Sequence, residues 1–161
     1  MRSLDFLMRK MMDQKLSLLG TAISGESDRS IVILDDTDMP EVPVHLGSSN
    51  SLDAFDSGKA WVQAALVKIP KSLITRGDEK LTHTTGLYTI FIKTDKDWGE
   101  YINEDLSNKI EEHFEFNSKI SLDGYLLTIL KSHQQPSVSI DSKTGRYWNR
   151  VFVECEIYYK E

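Results

Sequence analysis

Two stretches of the chain carry hydrophobic residues at the spacing of an amphipathic helix. The first predicts a helix over about residues 3–19, through the apolar positions Leu4, Leu7, Met8, Met11, Met12 and Leu16. The second predicts a helix that begins near Asp95, through the apolar positions Trp98, Tyr101, Ile102, Leu106, Ile110 and Phe114. Asn117 is suited to end this helix, because asparagine tolerates the left-handed backbone conformation found after helix C-termini. We expect Trp98 and Phe114 to lie under the second helix, against a sheet.

The other hydrophobic residues alternate with polar ones or form short apolar runs, as β-strands do. Predicted strands cover residues 30–34, 60–69, 86–93, 126–130, 138–140 and 147–159. The run at 60–69 is apolar on both faces. It is therefore either a central strand covered on both sides, or a strand covered on one side and buried in an assembly on the other.

Two connections between the strands are long. Residues 46–59 are rich in Gly, Ser, Asn and Asp, which predicts a mobile loop. Residues 70–85 form a sixteen-residue connection that is interpreted as an extended hairpin arm or loop. Loops of this length are uncommon in compact domains and are often functional.

Helices and strands are segregated along the chain, which is typical of an α+β fold. The prediction is a mostly antiparallel β-sheet with two α-helices packed on one face and a long inter-strand hairpin or loop. The length of 161 residues fits one domain over residues 1–161. No apolar run is long enough to cross a bilayer and no signal peptide is evident, so we expect no membrane contact and a cytoplasmic site of synthesis.

The net charge of −6 comes from 25 acidic and 19 basic residues, so the chain lacks the charge of a general nucleic-acid binder. Eight acidic residues against two basic ones lie between residues 95 and 115. Glu100, Glu104, Glu111 and Glu115 share one stripe of the predicted helix. A solvated outer face explains this stripe most simply. The functional alternative is a surface that repels DNA or binds a basic partner.

Residues with catalytic or metal-binding chemistry are few. Asp35, Asp36 and Asp38 follow a predicted strand and form a carboxylate cluster, but the alternating oxygens, glycine and distal Glu of a calcium loop are missing. Cys155 is the single cysteine, which excludes an intrachain disulfide, and its place in an apolar alternation predicts a buried, inert thiol. We therefore predict no catalytic residue, no cofactor and no metal, and hence no enzyme.

Several segments carry a resemblance to a known family. The sequence GLYTIFIK at residues 86–93 is similar to the central strand of that family, and LSNKIEEHF at 106–114 to the helix that follows it. PSVSI at 136–140 and GRYWNRVFV at 145–153 are similar to its closing hairpin. With the N-terminal helix, the chain resembles the tail terminator (tail completion) proteins of long-tailed siphophages of the T-five type, over about residues 2–19 and 85–159.

The resemblance implies a structural virion protein. Such a protein forms a hexameric ring on the tail tube, ends tube elongation and provides the interface for head attachment. The implied partners are further copies of the chain, the tail tube protein and the head–tail connector protein. DNA passes through the ring without specific binding. The implied location is the virion tail, after assembly in the host cytoplasm.

In such a ring, contact residues are expected on the 70–85 connection and on the exposed face of the sheet: Leu73, Ile74, Arg76, Phe152 and Tyr158. The acidic helix stripe is a candidate for the ring lumen, because negative charge would not retain the DNA phosphates. Two other functions stay open. One is a small metal-dependent hydrolase that uses Asp35, Asp36 and Asp38, and the other is an acidic module that binds a basic host protein.

Overall fold

Both predicted helices are present in the computed structural model, which describes residues 4–22, 29–32, 41–45, 60–68, 72–76 and 79–160. Helix α1 spans Leu4–Ser17 and helix α2 spans Gly99–His113, preceded by a 3-10 turn at Lys96–Trp98. The strands are β1 (Gly20–Ala22), β2 (Arg29–Val32), β3 (Glu41–His45), β4 (Ala60–Lys68), β5 (Ser72–Arg76), β6 (Glu79–Thr94), β7 (Lys119–Leu122), β8 (Tyr125–Gln134), β9 (Ser139–Ile140) and β10 (Tyr147–Lys160). The predicted mobile loop at 46–59 lies outside the described residues.

The ten strands of the described residues form one sheet, in the order β1-β2-β3-β4-β6-β10-β8-β7, with β5 paired to β6 and β9 to β10. Neighbouring strands run antiparallel, except for the parallel pair of β3 and β4. Both helices pack on one face of this sheet, in a single core cluster. The predicted α+β fold with a mostly antiparallel sheet is therefore confirmed.

The pairing of β6 with β10 forms the centre of the sheet. The two strands pair from Thr94–Tyr147 at one end to Leu81–Lys160 at the other. Since side chains alternate between the faces of a strand, this register aligns Ile90 with Val151 on the face that the helices cover. In the middle of the two strands, alternate residues thus belong to the core, from Tyr88 to Ile92 on β6 and from Val151 to Ile157 on β10, and the residues between them point to the opposite face.

The core is filled by α1, α2 and the covered sheet face. Helix α1 contributes four fully buried side chains: Met8, Met11, Met12 and Leu16. Helix α2 and the residue after it contribute Ile102, Leu106, Ile110 and Phe114. Each fully buried side chain of this kind stabilises the fold by about 1.5–3 kcal/mol. α1 lies close over β6 at Gly86, where an added Cβ would come within 3.1 Å of Met8 Cε.

The two aromatic residues expected under α2 are in the core region. Phe114 is fully buried, and Trp98 is half-buried and packs against the core cluster. Tyr101, in contrast, is 67% exposed, so its assignment to the apolar stripe was wrong. Ile102 and Leu106 define the buried side of the helix, and a step of about 100° per residue turns Tyr101 away from the sheet.

Buried hydrogen bonds connect the helices to the sheet. Asn103 on α2 donates from Nδ2 to Thr94 Oγ1 (3.0 Å) and to the Tyr147 carbonyl (3.2 Å), which joins α2 to the ends of β6 and β10. The Tyr88 hydroxyl of β6 donates to the Asp13 carboxylate of α1. Burial raises the pKa of the Asp13 carboxyl, and the hydrogen bond from Tyr88 opposes that rise. These pairs satisfy polar groups that would otherwise be costly to bury.

The 70–85 connection contains a hairpin, as predicted. Strand β5 pairs with residues 79–83 of β6, from Arg76–Glu79 to Ser72–His83. The predicted start of β6 at Gly86 was wrong, because pairing with β5 and with the end of β10 extends β6 back to Glu79.

Strand β7 was not predicted. It pairs with β8 through a turn in which Asp123 (φ 52°) and Gly124 (φ 82°) both have positive φ. Asp-Gly is a usual sequence of such a two-residue hairpin turn, so these two residues could have predicted the β7–β8 hairpin. Asn117 has the expected left-handed backbone, with φ 64°, but it does not end α2, because the helix ends at His113 with Phe114 as its C-cap.

The C-terminal ends of the two helices meet at His113. Its Nε2 is hydrogen-bonded to the Lys15 backbone carbonyl, and its ring packs edge-on against Phe114 with 5.4 Å between centroids. Burial lowers the pKa of His113, and the nearby Lys15 charge lowers it further, while the hydrogen bond to Lys15 and the charge of Glu115 act in the opposite direction. The folded protein therefore favours the neutral ring.

Replacing Phe114 with Ala should lower the free energy of unfolding by about 3–5 kcal/mol, because it opens a cavity in the core. Phe116 provides a matched control, since its ring is 78% exposed two residues later. Phe116→Ala should change the free energy of unfolding by less than about 0.5 kcal/mol. Urea denaturation of both variants measures these values. Equal midpoints for Phe114→Ala and the wild type would show that the described packing of α2 is wrong.

His113 should make stability depend on pH. At pH values between the lowered pKa of His113 in the folded protein and its ordinary value of 6.5, His113 binds a proton in the unfolded chain but not in the folded one. Stability from this residue is thus present above that window and is lost as the pH falls through it. His113→Gln cannot titrate, so the wild type should lose more stability than this variant between about pH 7.5 and pH 5. Parallel urea titrations at the two pH values measure the difference, and equal losses in the two proteins would contradict the assignment.

Candidate functional site

The sheet face opposite the two helices carries a cluster of aromatic side chains with one arginine. We call it the aromatic face and define it by Phe91, His133, Trp148, Arg150 and Phe152. The strand register places these residues together, since Phe91 pairs with Arg150, and Phe152 pairs with His133. Phe91 and Phe152 lie between core residues of their own strands, and Trp148 and Arg150 flank the buried Asn149, so the alternation that builds the core also builds this face.

The rings of the aromatic face are stacked. Phe91 and Trp148 lie with 5.4 Å between centroids and an interplanar angle of 16°. The Arg150 guanidinium lies over both rings, 5.6 Å from the Phe91 centroid and 5.2 Å from the Trp148 centroid. An exposed cation–π contact of this kind contributes about 0.5–1 kcal/mol. These contacts hold a planar cation in a defined position on the surface of the sheet.

Further exposed apolar side chains lie on the same side of the sheet as the aromatic face. On β4, Val67 is 60% exposed, next to Leu87 of β6 in the register. On β8, Leu126 is 46% exposed and pairs with Tyr158 of β10, which is 44% exposed. Glu154 and Glu156 of β10 lie between Phe152 and Tyr158 on this face, so these residues form patches separate from the stacked rings. Apolar patches on a sheet typically mark a site of protein interaction.

Charge is unevenly distributed over this face. At the Trp148 end, Lys93 pairs with Trp148 in the register, and its Nζ lies 3.5 Å from Asp141 Oδ2. Arg150 is exposed at the same end. Glu154 and Glu156 lie further along β10, toward Tyr158. Lys131 of β8 pairs with Glu154 in the register, so that half of the face carries both signs of charge, whereas the end with the stacked rings carries Arg150 and Lys93.

A second surface lies on the outer side of α2, and we call it the acidic helix face: Glu100, Tyr101, Glu104, Asp105 and Glu112. Glu100, Glu104 and Glu112 are exposed, and Asp105 is half-buried. Glu104 and Asp105 follow Tyr101 by three and four residues, so their carboxylates lie beside its exposed ring. The surface combines negative charge with one large aromatic side chain.

The four glutamates of the predicted acidic stripe differ in their surroundings. Glu100 and Glu104 are exposed on the acidic helix face. Glu111 is half-buried, and its Oε2 accepts a hydrogen bond from Gln134 Nε2 at 2.7 Å, which joins α2 to β8. Glu115 is exposed and lies beyond the end of the helix.

The predicted contact residues lie in two regions of the sheet. Leu73, Ile74 and Arg76 are on β5, in register with Thr82, Leu81 and Glu79 of β6. Phe152 is half-buried in the aromatic face, where its ring stacks on His133 with 5.3 Å between centroids. Tyr158 is at the other end of the same face. The structure thus brings Phe152 and Tyr158 onto one surface and leaves the β5 residues on the hairpin.

Sequence reasoning missed Phe91, Trp148 and Arg150 as one cluster. Their alternation with core residues was visible, and it shows that each points away from the core. The register of β6 against β10, which places Phe91 opposite Arg150, was not predicted. Such a register depends on contacts between strands that are far apart in the chain.

The aspartates at 35–38 and Cys155 are the residues with candidate catalytic or metal-binding chemistry. Asp35, Asp36 and Asp38 lie outside the described residues. Cys155 is buried in the core, where its Sγ lies 3.6 Å from the Gly86 carbonyl oxygen. Burial raises the pKa of the Cys155 thiol to about 12. Among the described residues, no group of His, Cys, Asp or Glu could hold a metal ion, and neither helix is long and apolar enough to cross a membrane.

Cys155 should be unreactive in the native protein. Its raised pKa leaves, at pH 8, less than about a thousandth of the thiolate of an ordinary cysteine, and the core excludes reagents. Native protein treated with a thiol-specific chromogenic reagent should show no fast labelling, and full labelling should follow in denaturant. Cys155→Ser supplies the background. Labelling of the native protein at the rate of a free thiol would contradict the burial.

The comparisons with known proteins assign no family to this chain. No protein-family model matches the chain, and no curated protein matches it at a significant level. Function is therefore inferred from the chemistry of the aromatic face, the acidic helix face and the hairpin.

Proposed function

We propose that this chain is a structural virion protein that forms a ring on the end of a phage tail tube. In this role it ends tube elongation and provides the interface to which the head attaches. The observation that carries the proposal is the aromatic face, because a sheet covered by helices on one side presents an apolar surface on the other. Assembly with further copies would remove that surface from water.

A ring needs two different contact surfaces on each copy. A head-to-tail interface joins one patch to another patch of the next copy, and it closes into a ring if the rotation per copy allows. The aromatic face and the acidic helix face point in opposite directions from the sheet, which suits this arrangement. The number of six copies comes from the resemblance to tail terminators.

The β5–β6 hairpin is the proposed contact with the tube or the head connector. The hairpin lies at one end of β6. The other end of β6 is at Thr94, where Asn103 joins α2 to the sheet. Leu73, Ile74 and Arg76 on this hairpin combine apolar and cationic chemistry. Ordering a hairpin at a contact costs affinity, which favours assembly on the tube end over assembly in dilute solution.

The charge of the chain is compatible with a channel for DNA. A net charge of −6 provides no surplus of positive charge to hold the phosphate backbone. Proteins that bind DNA without sequence preference do so by neutralising phosphates with Lys and Arg. A ring of this protein would therefore let DNA pass without retaining it.

The test is to add purified protein to polymerising tail tube protein from the same genome and to measure tube lengths by electron microscopy. The intact protein should shorten the tubes and occupy their ends. Phe152→Lys, which puts a charge within the aromatic face, should abolish this activity while the far-ultraviolet circular dichroism stays unchanged. Phe116→Lys is the matched control at an exposed apolar position on the helix side, and it should cap normally.

Unchanged tube lengths with the intact protein would refute the terminator role. A folded monomer that leaves tubes unaffected and binds a basic host protein would favour the acidic binding module instead, with the acidic helix face as its contact. Capping by both lysine variants would show that the aromatic face is not needed.

A further inference from the structure

We propose that the acidic helix face of one copy docks on the aromatic face of the next copy in the ring. In this contact Tyr101 lies against the rings of Phe91 and Trp148, and the carboxylates of Glu104 and Asp105 pair with Arg150. The inference rests on the proposed function, because it names the repeating contact that such a ring requires. The partner is therefore a second copy of this chain.

Charge complementarity supports this choice of partner. The Trp148 end of the aromatic face presents Arg150, while the outer side of α2 carries several carboxylates around Tyr101. Arginine and carboxylate form short, paired hydrogen bonds because the guanidinium presents two parallel N–H groups. The acidic half of β10, at Glu154 and Glu156, would lie away from the carboxylates of α2 in this arrangement.

The Arg150 guanidinium is already positioned for such a contact. It lies over both rings, 5.6 Å from the centroid of Phe91 and 5.2 Å from the centroid of Trp148. A cation that is ordered before binding loses less conformational entropy when it forms an ion pair. Arginine also keeps its charge in a partly dry interface, whereas lysine loses its charge more readily when it is buried.

Tyr101 supplies the apolar part of the same contact. Its side chain is 67% exposed on a helix whose opposite side is buried in the core. Tyrosine, tryptophan and arginine are the residues most often found at the energetic centres of protein interfaces. The ring of Tyr101 with its neighbouring carboxylates therefore complements the rings of Phe91 and Trp148 with their guanidinium, in aromatic character and in charge.

The two surfaces cannot meet within one chain. Helix α2 buries Ile102, Leu106 and Ile110 against the sheet, so its outer side points away from the sheet. The aromatic face is on the far side of that sheet. The contact must therefore be between copies, and it is heterologous, which is the kind that generates rings.

The contact predicts a charge-swap experiment. Arg150→Glu and Glu104→Arg should each raise the dissociation constant for self-association by about thirtyfold or more, because each places like charges against one another. The double variant Glu104→Arg/Arg150→Glu restores opposite charges and should regain most of the lost affinity. Glu115→Arg is the matched control, an exposed acidic residue outside the contact, and should assemble as the wild type does.

Sedimentation velocity over a concentration series measures self-association, and the tube-length assay measures capping by the same proteins. Circular dichroism and the urea midpoint establish that each variant is folded. Weakened single variants with recovery in the double variant support the contact. If the wild type caps tubes and folded Arg150→Glu assembles and caps equally well, the contact is overturned and the ring function stands. If the wild type neither assembles nor caps, both are overturned.

Discussion

The antiparallel pairing of β6 with β10 is the constraint on which the rest of the structure depends. It runs along the whole of β10, and its register decides which side chains lie under the helices. With Ile90 aligned to Val151, one face becomes the core, and Phe91 is placed opposite Arg150 on the other face. A shift of one residue would exchange the two sets, so the same register fixes both the stability of the fold and its outer surface.

Both helices cover the same face of the sheet, and this arrangement separates two kinds of surface. The side chains of α1 and α2 complete one core, closed by the Tyr88–Asp13 pair and by Asn103. The outer side of α2 is then polar and acidic, while the outer side of the sheet is aromatic with one ordered cation. Two unlike surfaces on opposite sides of a fold are the requirement for head-to-tail assembly.

Local patterns in the sequence predicted most of the elements and little of their arrangement. The apolar spacing located α1 and α2, and the alternation around Cys155 identified β10 with its buried side. Tyr101 was misplaced because it neighbours Ile102 in the chain, although the helix turns it to the outer side. The Phe91, Trp148 and Arg150 cluster could not be predicted, because it depends on a register between strands more than fifty residues apart.

In the proposed ring, the aromatic face of one copy is buried by the acidic helix face of the next. Hydroxyl-radical footprinting with mass spectrometry, on the free protein and on protein bound at tube ends, tests it most directly. We expect oxidation of Trp148, Phe91 and Tyr101 to fall together on assembly, while oxidation of Phe116 stays constant. Equal oxidation of Trp148 and Tyr101 in the free and the assembled protein would contradict it.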